Sequence, residues 1–181
     1  MEANEAQELQ EHAEHAEHEK SLRPVAFTMS VLAVLVAVVT VLGHRTHTEA
    51  VLNQAKASDM WNEYQAKKNR AYDTTLATDL LSVVTIADEN GARKIVKGYA
   101  DHKEKWADDL KDAEKEARGL EDEVKLAERR ADYYDFGEAL LEIGLVVTSV
   151  TLLTRRRLYW FAGLGASLVG IVAAVMGLLL K

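Results

Sequence analysis

Residues 25–43 read VAFTMSVLAVLVAVVTVLG and contain no charged side chain. A helix rises about 1.5 Å per residue, so this stretch covers roughly 28 Å, close to the thickness of the hydrocarbon layer of a bilayer. Residues 158–180 are also uncharged, whereas the sequence from 44 to 135 is crowded with charge. A soluble core needs apolar and polar residues interleaved at the period of a helix or strand. The segregation therefore predicts an integral membrane protein.

Composition narrows the class of protein further. The chain has 181 residues, a net charge of −7, one proline and no cysteine. Without cysteine there are no disulfides, thiolate zinc sites or cysteine nucleophiles, and the acidic balance argues against nucleic acid as a partner. No sheet-forming pattern, phosphate-cradling glycine loop or serine–histidine arrangement appears. We predict an all-α protein that is not an enzyme and uses no cofactor.

The apolar stretch at residues 158–180 is the predicted third span. Tyr159, Trp160 and Phe161 lie at its start, as expected for aromatic side chains at a membrane interface. Small residues recur within it every four positions, and such spacing lets helix backbones approach closely in lipid. We predict a packing or assembly face at Ala166, Gly170 and Ala174. The alternative is that small residues are simply common in such helices.

The second span is predicted at residues 136–154, followed by a tight basic turn at 155–157. The turn consists of Arg155, Arg156 and Arg157. Short arginine-rich loops stay on the cytoplasmic side of a membrane. In a bacterial inner membrane, the expected topology therefore places the N-terminal segment 1–24 in the cytoplasm and residues 44–135 in the periplasm.

Residues 44–135 are predicted to form a long antiparallel coiled-coil hairpin outside the membrane. Two arms of equal length, 44–87 and 92–135, flank the turn-forming sequence Asp-Glu-Asn-Gly at 88–91. In the second arm, seam residues alternate at spacings of three and four, which is the register of a coiled coil. That seam is Val96, Tyr99, Lys103, Trp106, Leu110, Ala113, Ala117, Leu120, Val124, Ala127, Ala131 and Tyr134. The less regular seam of the first arm is Ala50, Ala57, Trp61, Tyr64, Ala71, Leu80 and Val84.

Large residues in these seams are expected to lie opposite small ones, which fills a helix interface without voids. Antiparallel pairing of the arms places Trp106 near Ala71 and Thr74. It places Trp61 and Tyr64 opposite a stretch of small residues in the second arm. Alternatively, Trp61 and Tyr64 face a neighbouring subunit. Because a thin hairpin buries little surface by itself, a homo-oligomer is expected.

Three carboxylates at the start of the second span are the sharpest candidate for function. Asp135, Glu138 and Glu142 are spaced three and four residues apart, so they lie on one face of a helix. A charge at membrane depth costs about 2.5–3.5 kcal/mol on insertion scales. Arg45 could reach Asp135 and Glu138 but not Glu142. Thr40 is the nearest plausible hydroxyl for Glu142.

Three interpretations of these carboxylates remain open. In the first, Glu142 is protonated and hydrogen-bonded, and the other two acids lie at the wet interface. In the second, acids from several subunits line a path for cations or protons. In the third, the acids bind another membrane protein.

The N-terminal segment contains His12, His15 and His18 among glutamates that repeat every three residues. A period of three drifts around an α-helix, so neither set of residues forms a single face. The histidines could hold a transition metal loosely. We favour a solvated polar tail without metal.

Two stretches carry a resemblance to a family: KASDMWNEYQAKK at 56–68 and DFGEALLEIGLVVTSVTLLTRRRLYWFAG at 135–163. They resemble a family of uncharacterised bacterial membrane proteins that is classed only as a domain of unknown function. The resemblance spans nearly the whole chain. It implies a location in the bacterial inner membrane and the same plan of three spans. It implies no activity and supplies no site residues.

Two functions of different classes fit these observations. The leading hypothesis is a non-enzymatic, homo-oligomeric inner-membrane scaffold whose periplasmic hairpins form a docking stalk, with membrane lipid and further copies of the chain as partners. The alternative is a small homo-oligomeric cation or proton channel lined by the carboxylates of the second span.

Overall fold

The computed structural model describes residues 22–85 and 87–180. Within those residues the chain forms three α-helices and no strand. Helix α1 spans Arg23–Val83, α2 spans Glu89–Thr154 and α3 spans Arg157–Leu179. The predicted all-α class is confirmed. Most of the predicted N-terminal segment, as far as residue 21, lies outside the described residues.

Helices α1 and α2 continue without a break where the sequence changes from apolar to charged. The one proline, Pro24, lies in the first turn of α1, where its missing N–H leaves no hydrogen bond unmade. Beyond it, α1 and α2 contain few glycines in the charged region, and nothing else there interrupts a helix. By length and composition, all three helices are able to cross a membrane.

The break between α1 and α2 lies earlier than the sequence suggested. Helix α1 ends at Val83 and α2 begins at Glu89, so the predicted turn at 88–91 is misplaced. The reason is a helix cap. A carboxylate oxygen of Asp88 accepts the backbone N–H of Gly91 at 3.0 Å, and an aspartate in that position stabilises the start of a helix.

A second, tighter break separates α2 from α3. Arg155 has a φ of 55°, the left-handed region that non-glycine residues rarely adopt. Arg156 is the N-cap of α3 and has an extended backbone. The reversal therefore takes two residues, and α3 begins at Arg157, within the turn predicted at 155–157.

The described chain divides into two compact units. The three-helix unit consists of the residues up to Glu49 together with those from Lys125 onward. The two-helix unit consists of Ala50–Val124. Both α1 and α2 contribute to each unit, whereas α3 belongs to the three-helix unit alone.

The core of the three-helix unit is built on one apolar stripe of α1. Its residues alternate at spacings of four and three, which keeps them on the same side of the helix. The buried cluster consists of Val25, Met29, Leu32, Val36 and Val39 from α1, Tyr134, Leu141 and Leu145 from α2, and Ala174 from α3.

Helices α2 and α3 approach each other backbone to backbone. The contact uses glycines spaced seven residues apart, Gly137 and Gly144 in α2 and Gly163, Gly170 and Gly177 in α3. A Cβ at Gly137 would lie 2.9 Å from the carbonyl oxygen of Gly170, and a Cβ at Gly170 would lie 2.7 Å from that of Gly137. Both distances are too short for a real side chain, so glycine is required here and allows close packing in lipid.

Hydroxyl groups fill the space beside two of these glycines. A Cβ at Gly144 would meet the Ser167 hydroxyl, and one at Gly163 would meet the Thr148 hydroxyl. Ser167 donates to the carbonyl of Gly163 at 2.8 Å. The buried Thr148 hydroxyl has no hydrogen-bond partner within the described residues. Its position against a glycine backbone suits a weak C–H···O contact.

The two-helix unit is packed by side chains along a seam. Ala57, Ala113, Ala117 and Val124 are buried, and other predicted seam residues are half-buried. Three seam predictions are wrong, because Lys103, Leu80 and Val84 are exposed. Leu81 is half-buried instead of Leu80, and Val84 lies beyond the last residue of α1.

Packing in the two-helix unit loosens toward its helix break. A cavity of about 350 Å³ is lined by residues that include Thr78, Val96 and Trp106. A second, of about 620 Å³, is lined by residues that include Thr78, Leu81 and Val96. Two helices alone cannot close a core around themselves, because each has only one neighbour to cover its apolar stripe.

Candidate functional site

The three predicted carboxylates lie on α2 within the three-helix unit, and two of them contact α1. Asp135 is exposed, whereas Glu138 and Glu142 are half-buried. A carboxylate oxygen of Glu138 lies 2.6 Å from the hydroxyl of Thr40. The same hydroxyl lies 2.9 Å from the carbonyl oxygen of Val36, four residues earlier in α1.

The Thr40 hydroxyl has two acceptors within reach. It donates to a carboxylate oxygen of Glu138 at 2.6 Å, and the carbonyl oxygen of Val36 lies 2.9 Å away on its own helix. A hydroxyl has one hydrogen to donate, so the two oxygens share or compete for it. The contact with Glu138 is the one that joins α1 to α2.

Asp135 contacts α1 one turn further along. The Nε2 atom of His47 lies 3.0 Å and 3.2 Å from the two carboxylate oxygens of Asp135. Each of the two side chains is about half exposed, at 53%. Gly43 lies beside them, and a Cβ there would be 3.4 Å from an oxygen of Asp135. Thr40, Gly43 and His47 thus form the face of α1 that receives the acids.

Two details of the expected contacts differ from the structure. Arg45 was expected to reach Asp135, but His47 makes that contact. Thr40 was expected near Glu142, but it contacts Glu138. Helical phase explains the first difference, because Thr40, Gly43 and His47 lie on one side of α1 and Arg45 projects from another. The second difference is a shift of one helical turn along α2, from Glu142 to Glu138.

The predicted seam aromatic Trp61 lies in a polar cluster of the two-helix unit. Its indole N–H donates to a carboxylate oxygen of Glu121 at 2.8 Å. The ring of Tyr64 meets it edge to face at a centroid distance of 5.4 Å. The guanidinium of Arg118 lies over the indole at 5.7 Å, a favourable cation–π distance. Trp61 therefore joins α1 to α2 with both its apolar ring and its polar edge.

Charges in the same unit stabilise one another across and along the helices. A side-chain hydrogen bond to Glu114, followed by its negative charge, raises the pKa of Arg118 above its ordinary value. In the same way, the hydrogen bond to Glu63 raises the pKa of Lys67. The Nζ atom of Lys67 lies 2.8 Å from Glu63 and 3.4 Å from the carbonyl oxygen of Asp109 in α2.

Trp106 lies apart from the Trp61 cluster. Its ring stacks on that of His102 at a centroid distance of 5.6 Å. It lines the 350 Å³ cavity together with Ala71 and Thr74, the two residues expected near it. The cavity remaining beside Trp106 means that its ring does not fill the interface.

The three predicted packing residues of α3 differ in how deeply they are buried. Gly170 and Ala174 are buried and pack against Gly137 of the same chain, so they serve packing within one subunit. Ala166 is only half-buried. A strict period of four drifts around the helix, and the buried face instead follows alternating spacings of four and three. That face is Gly163, Ser167, Gly170, Ala173, Ala174 and Gly177.

The basic turn lies exposed at one end of the three-helix unit. Arg155, Arg156 and Arg157 are all exposed, and the first turn of α3 contains no acidic residue. Nearby, the indole N–H of Trp160 donates to the hydroxyl of Thr28 at 3.2 Å. This bond holds the second turn of α1 against the first turn of α3.

No metal site is formed by the described residues. Among residues 22–85 and 87–180, no three His, Cys, Asp or Glu side chains are grouped so that they could hold an ion. His12, His15 and His18 lie outside these ranges, so the structure does not address the weak metal prediction there.

Sequence reasoning missed several residues that the structure brings together. One is Arg130, whose guanidinium donates to the backbone carbonyl of Leu180 at 2.6 Å and 2.9 Å and so holds the end of α3 against α2. The glycine contact was also missed. Its signal was present, because the seven-residue spacing of glycines in α3 is visible in the sequence.

Comparisons with known proteins confirm one part of the resemblance, a domain of unknown function that covers nearly the whole chain. A family model described as a domain of unknown function, DUF4337, matches residues 21–180. Neither the curated proteins nor the solved structures provide a match. Since the family model covers nearly the whole chain, this protein belongs to the DUF4337 family.

Proposed function

We propose that this protein is anchored in a bacterial inner membrane by its three helices. The observation that carries the proposal is the outer surface of the three-helix unit, which is covered by large apolar side chains. Phe27, Leu153 and Leu168 are exposed by 71%, 77% and 64%, and other exposed apolar residues follow on every helix. A surface of this kind in water would drive aggregation, whereas lipid tails cover it.

The proposed topology places the arginine turn in the cytoplasm and the two-helix unit in the periplasm. It rests on the rule that short arginine-rich loops stay inside. The chain has no cysteine, so a single introduced cysteine reports one position. We expect a membrane-impermeant maleimide to label Asn62→Cys in intact cells and Thr154→Cys only after permeabilisation. Labelling of both from outside would overturn the topology.

We further propose that residues 44–135 form an antiparallel hairpin. Contacts within the two-helix unit support it. Trp61 meets Glu121 and Lys67 meets Asp109, so a later position on α1 pairs with an earlier position on α2. That order is expected when two consecutive helices run in opposite directions.

The biological role we propose is a scaffold that assembles through this hairpin. An apolar stripe lies on α1 in the last turns before the helix break, on the side away from α2. It consists of Tyr72, Leu76, Leu80 and Val83, exposed by 62%, 59%, 53% and 78%. Residues three and four apart share a helix face, so the stripe is continuous and suits a helix of a second copy.

Disulfide cross-linking tests the assembly. Leu76→Cys lies in the stripe, and Asn62→Cys, which is exposed on a polar part of the same helix, is the matched control. We expect Leu76→Cys to form covalent dimers in membranes under mild oxidation and Asn62→Cys to remain monomeric. Equal cross-linking of the two variants would contradict a specific interface.

The contacts of the carboxylates favour a scaffold over the alternative channel. Asp135 and Glu138 contact His47 and Thr40 of the same chain, so these acids are used to pack α2 against α1. A channel instead needs carboxylates directed to a wet axis between subunits. Ion flux into liposomes decides between them. A flux that is abolished by Glu142→Gln would support the channel, and its absence would support the scaffold.

A further inference from the structure

We infer that Arg156, Arg157 and the apolar side chains around them form a binding site for an anionic phospholipid. The inference rests on the proposed membrane location and adds a ligand class and the residues that bind it. The site lies where α1 begins, α2 ends and α3 begins.

Two neighbouring arginines at this end of the unit, Arg156 and Arg157, have exposed side chains. Within the described part of the chain, no ion pair engages the guanidinium of Arg156 or Arg157. The sequence contains no acidic residue after Glu142. Guanidinium groups bind phosphate oxygens through paired N–H donors. The chemistry of the turn therefore suits a phosphate group.

The surroundings of the turn identify the phosphate as that of a lipid. Leu153 and Leu158 flank the arginines in the chain and are exposed by 77% and 74%. Phe27 and Phe161, exposed by 71% and 62%, lie one turn deeper on α1 and α3. A soluble phosphate would gain nothing from this apolar rim. A phospholipid would place its head group on the guanidiniums and its acyl chains on the leucine and phenylalanine side chains.

The hydrogen bond between Trp160 and Thr28 ties α3 to α1 close to the turn. Phe161 and Phe27 are the neighbours of these two residues in the chain, so the helix segments that carry the two phenylalanines are held together. A preassembled site loses less entropy on binding than a flexible one. Trp160 also lies close enough to the rim to report on the lipid beside it.

Lipid quenching of tryptophan fluorescence tests the inference. The full chain is reconstituted into vesicles of phosphatidylcholine containing brominated phosphatidylglycerol or brominated phosphatidylcholine. The other two tryptophans belong to the two-helix unit and provide a constant background. An arginine near an anionic surface contributes about 1 kcal/mol, or about fivefold in affinity. We expect phosphatidylglycerol to be preferred at Trp160 by about fivefold or more.

Variants separate the site from a general effect of charge. Replacing both arginines, Arg156→Gln with Arg157→Gln, should reduce the preference to within about twofold. The control removes two exposed charges from the two-helix unit, Lys94→Gln with Lys97→Gln, and should leave the preference unchanged. Inorganic phosphate at millimolar concentration should not compete. Competition by free phosphate would overturn the assignment to a lipid.

Other outcomes also overturn the inference, and they can be told apart. Equal quenching by the two brominated lipids, in protein that has entered the vesicles, would contradict the lipid site but not the membrane anchor. Failure to enter vesicles of either composition would contradict the anchor as well. A preference that appears only after residues 1–20 are removed would mean that the glutamate-rich segment, and not lipid, occupies the arginines.

Discussion

In the three-helix unit, α2 and α3 touch through backbone atoms at Gly137 and Gly170. In the two-helix unit, α1 and α2 meet instead through the side chains of Trp61 and Glu121, and cavities remain near the helix break. The difference follows from the solvent proposed for each unit. In lipid, apolar burial gives little net gain and close van der Waals contact must hold helices together. In water, burial of side chains along a seam drives association.

Adding one methyl group at the glycine contact between α2 and α3 should cause the largest loss of folding stability. Gly170→Ala places a Cβ 2.7 Å from the carbonyl oxygen of Gly137, and backbone cannot move away easily. We expect a loss of about 1–3 kcal/mol, typical of overpacking. Gly165→Ala is the control, since nothing lies within 4 Å of its Cβ. Thermal unfolding in detergent measures both, and equal midpoints would show that the close approach is unimportant.

A larger side chain should have opposite effects on stability at the two ends of the two-helix unit. Ala117 is fully buried, so Ala117→Leu should destabilise the unit by about 1–3 kcal/mol. Thr78 lines both cavities, and Thr78→Leu should stabilise the unit by up to about 1 kcal/mol through cavity filling. Amide hydrogen exchange of the full chain distinguishes the two. Destabilisation by both variants would mean that the cavities are not available to a side chain.

The contact between Glu138 and Thr40 should show a smaller effect that depends on an acceptor oxygen at the end of the Glu138 side chain. Glu138→Ala leaves Thr40 with one partner, and we expect a loss of about 1 kcal/mol, as measured for hydrogen bonds between membrane helices. Glu138→Gln retains an acceptor oxygen and should stay near the parent stability in detergent. If the glutamine variant is as unstable as the alanine variant, the hydrogen bond from Thr40 does not contribute to stability.

The smallest effect expected is a dependence on alkaline pH in the two-helix unit. The hydrogen bond to Glu63 raises the pKa of Lys67 in the folded protein, so the folded state holds this proton more tightly than the unfolded state. Its contribution is present below the ordinary lysine pKa and is lost as the pH rises through the folded value. Hydrogen exchange from about pH 9 to pH 11 should show a flatter loss of protection in Lys67→Met than in the parent chain.

The shared face of the three carboxylates could be predicted from the sequence, but their partners on α1 could not. The spacing of Asp135, Glu138 and Glu142 placed them on one face of a helix, and the structure directs Asp135 and Glu138 toward α1. Their partners were not predictable, because the rotation of α1 decides whether His47 or Arg45 meets Asp135. That rotation is set by the whole buried stripe of α1 and by Gly43.

The sequence by itself determined the all-α class, because uncharged stretches of this length and a three-and-four periodicity in the charged region allow little else. It also located the helix breaks to within a few residues, since Asp88 and the arginine turn have strong local preferences. Only the tertiary structure decided which faces pack. Which residues of two helices meet depends on how far each helix is rotated about its axis and shifted along it. Rotation and shift follow from the sum of many contacts between the helices. The closest of these contacts is the backbone approach at the glycines of α2 and α3.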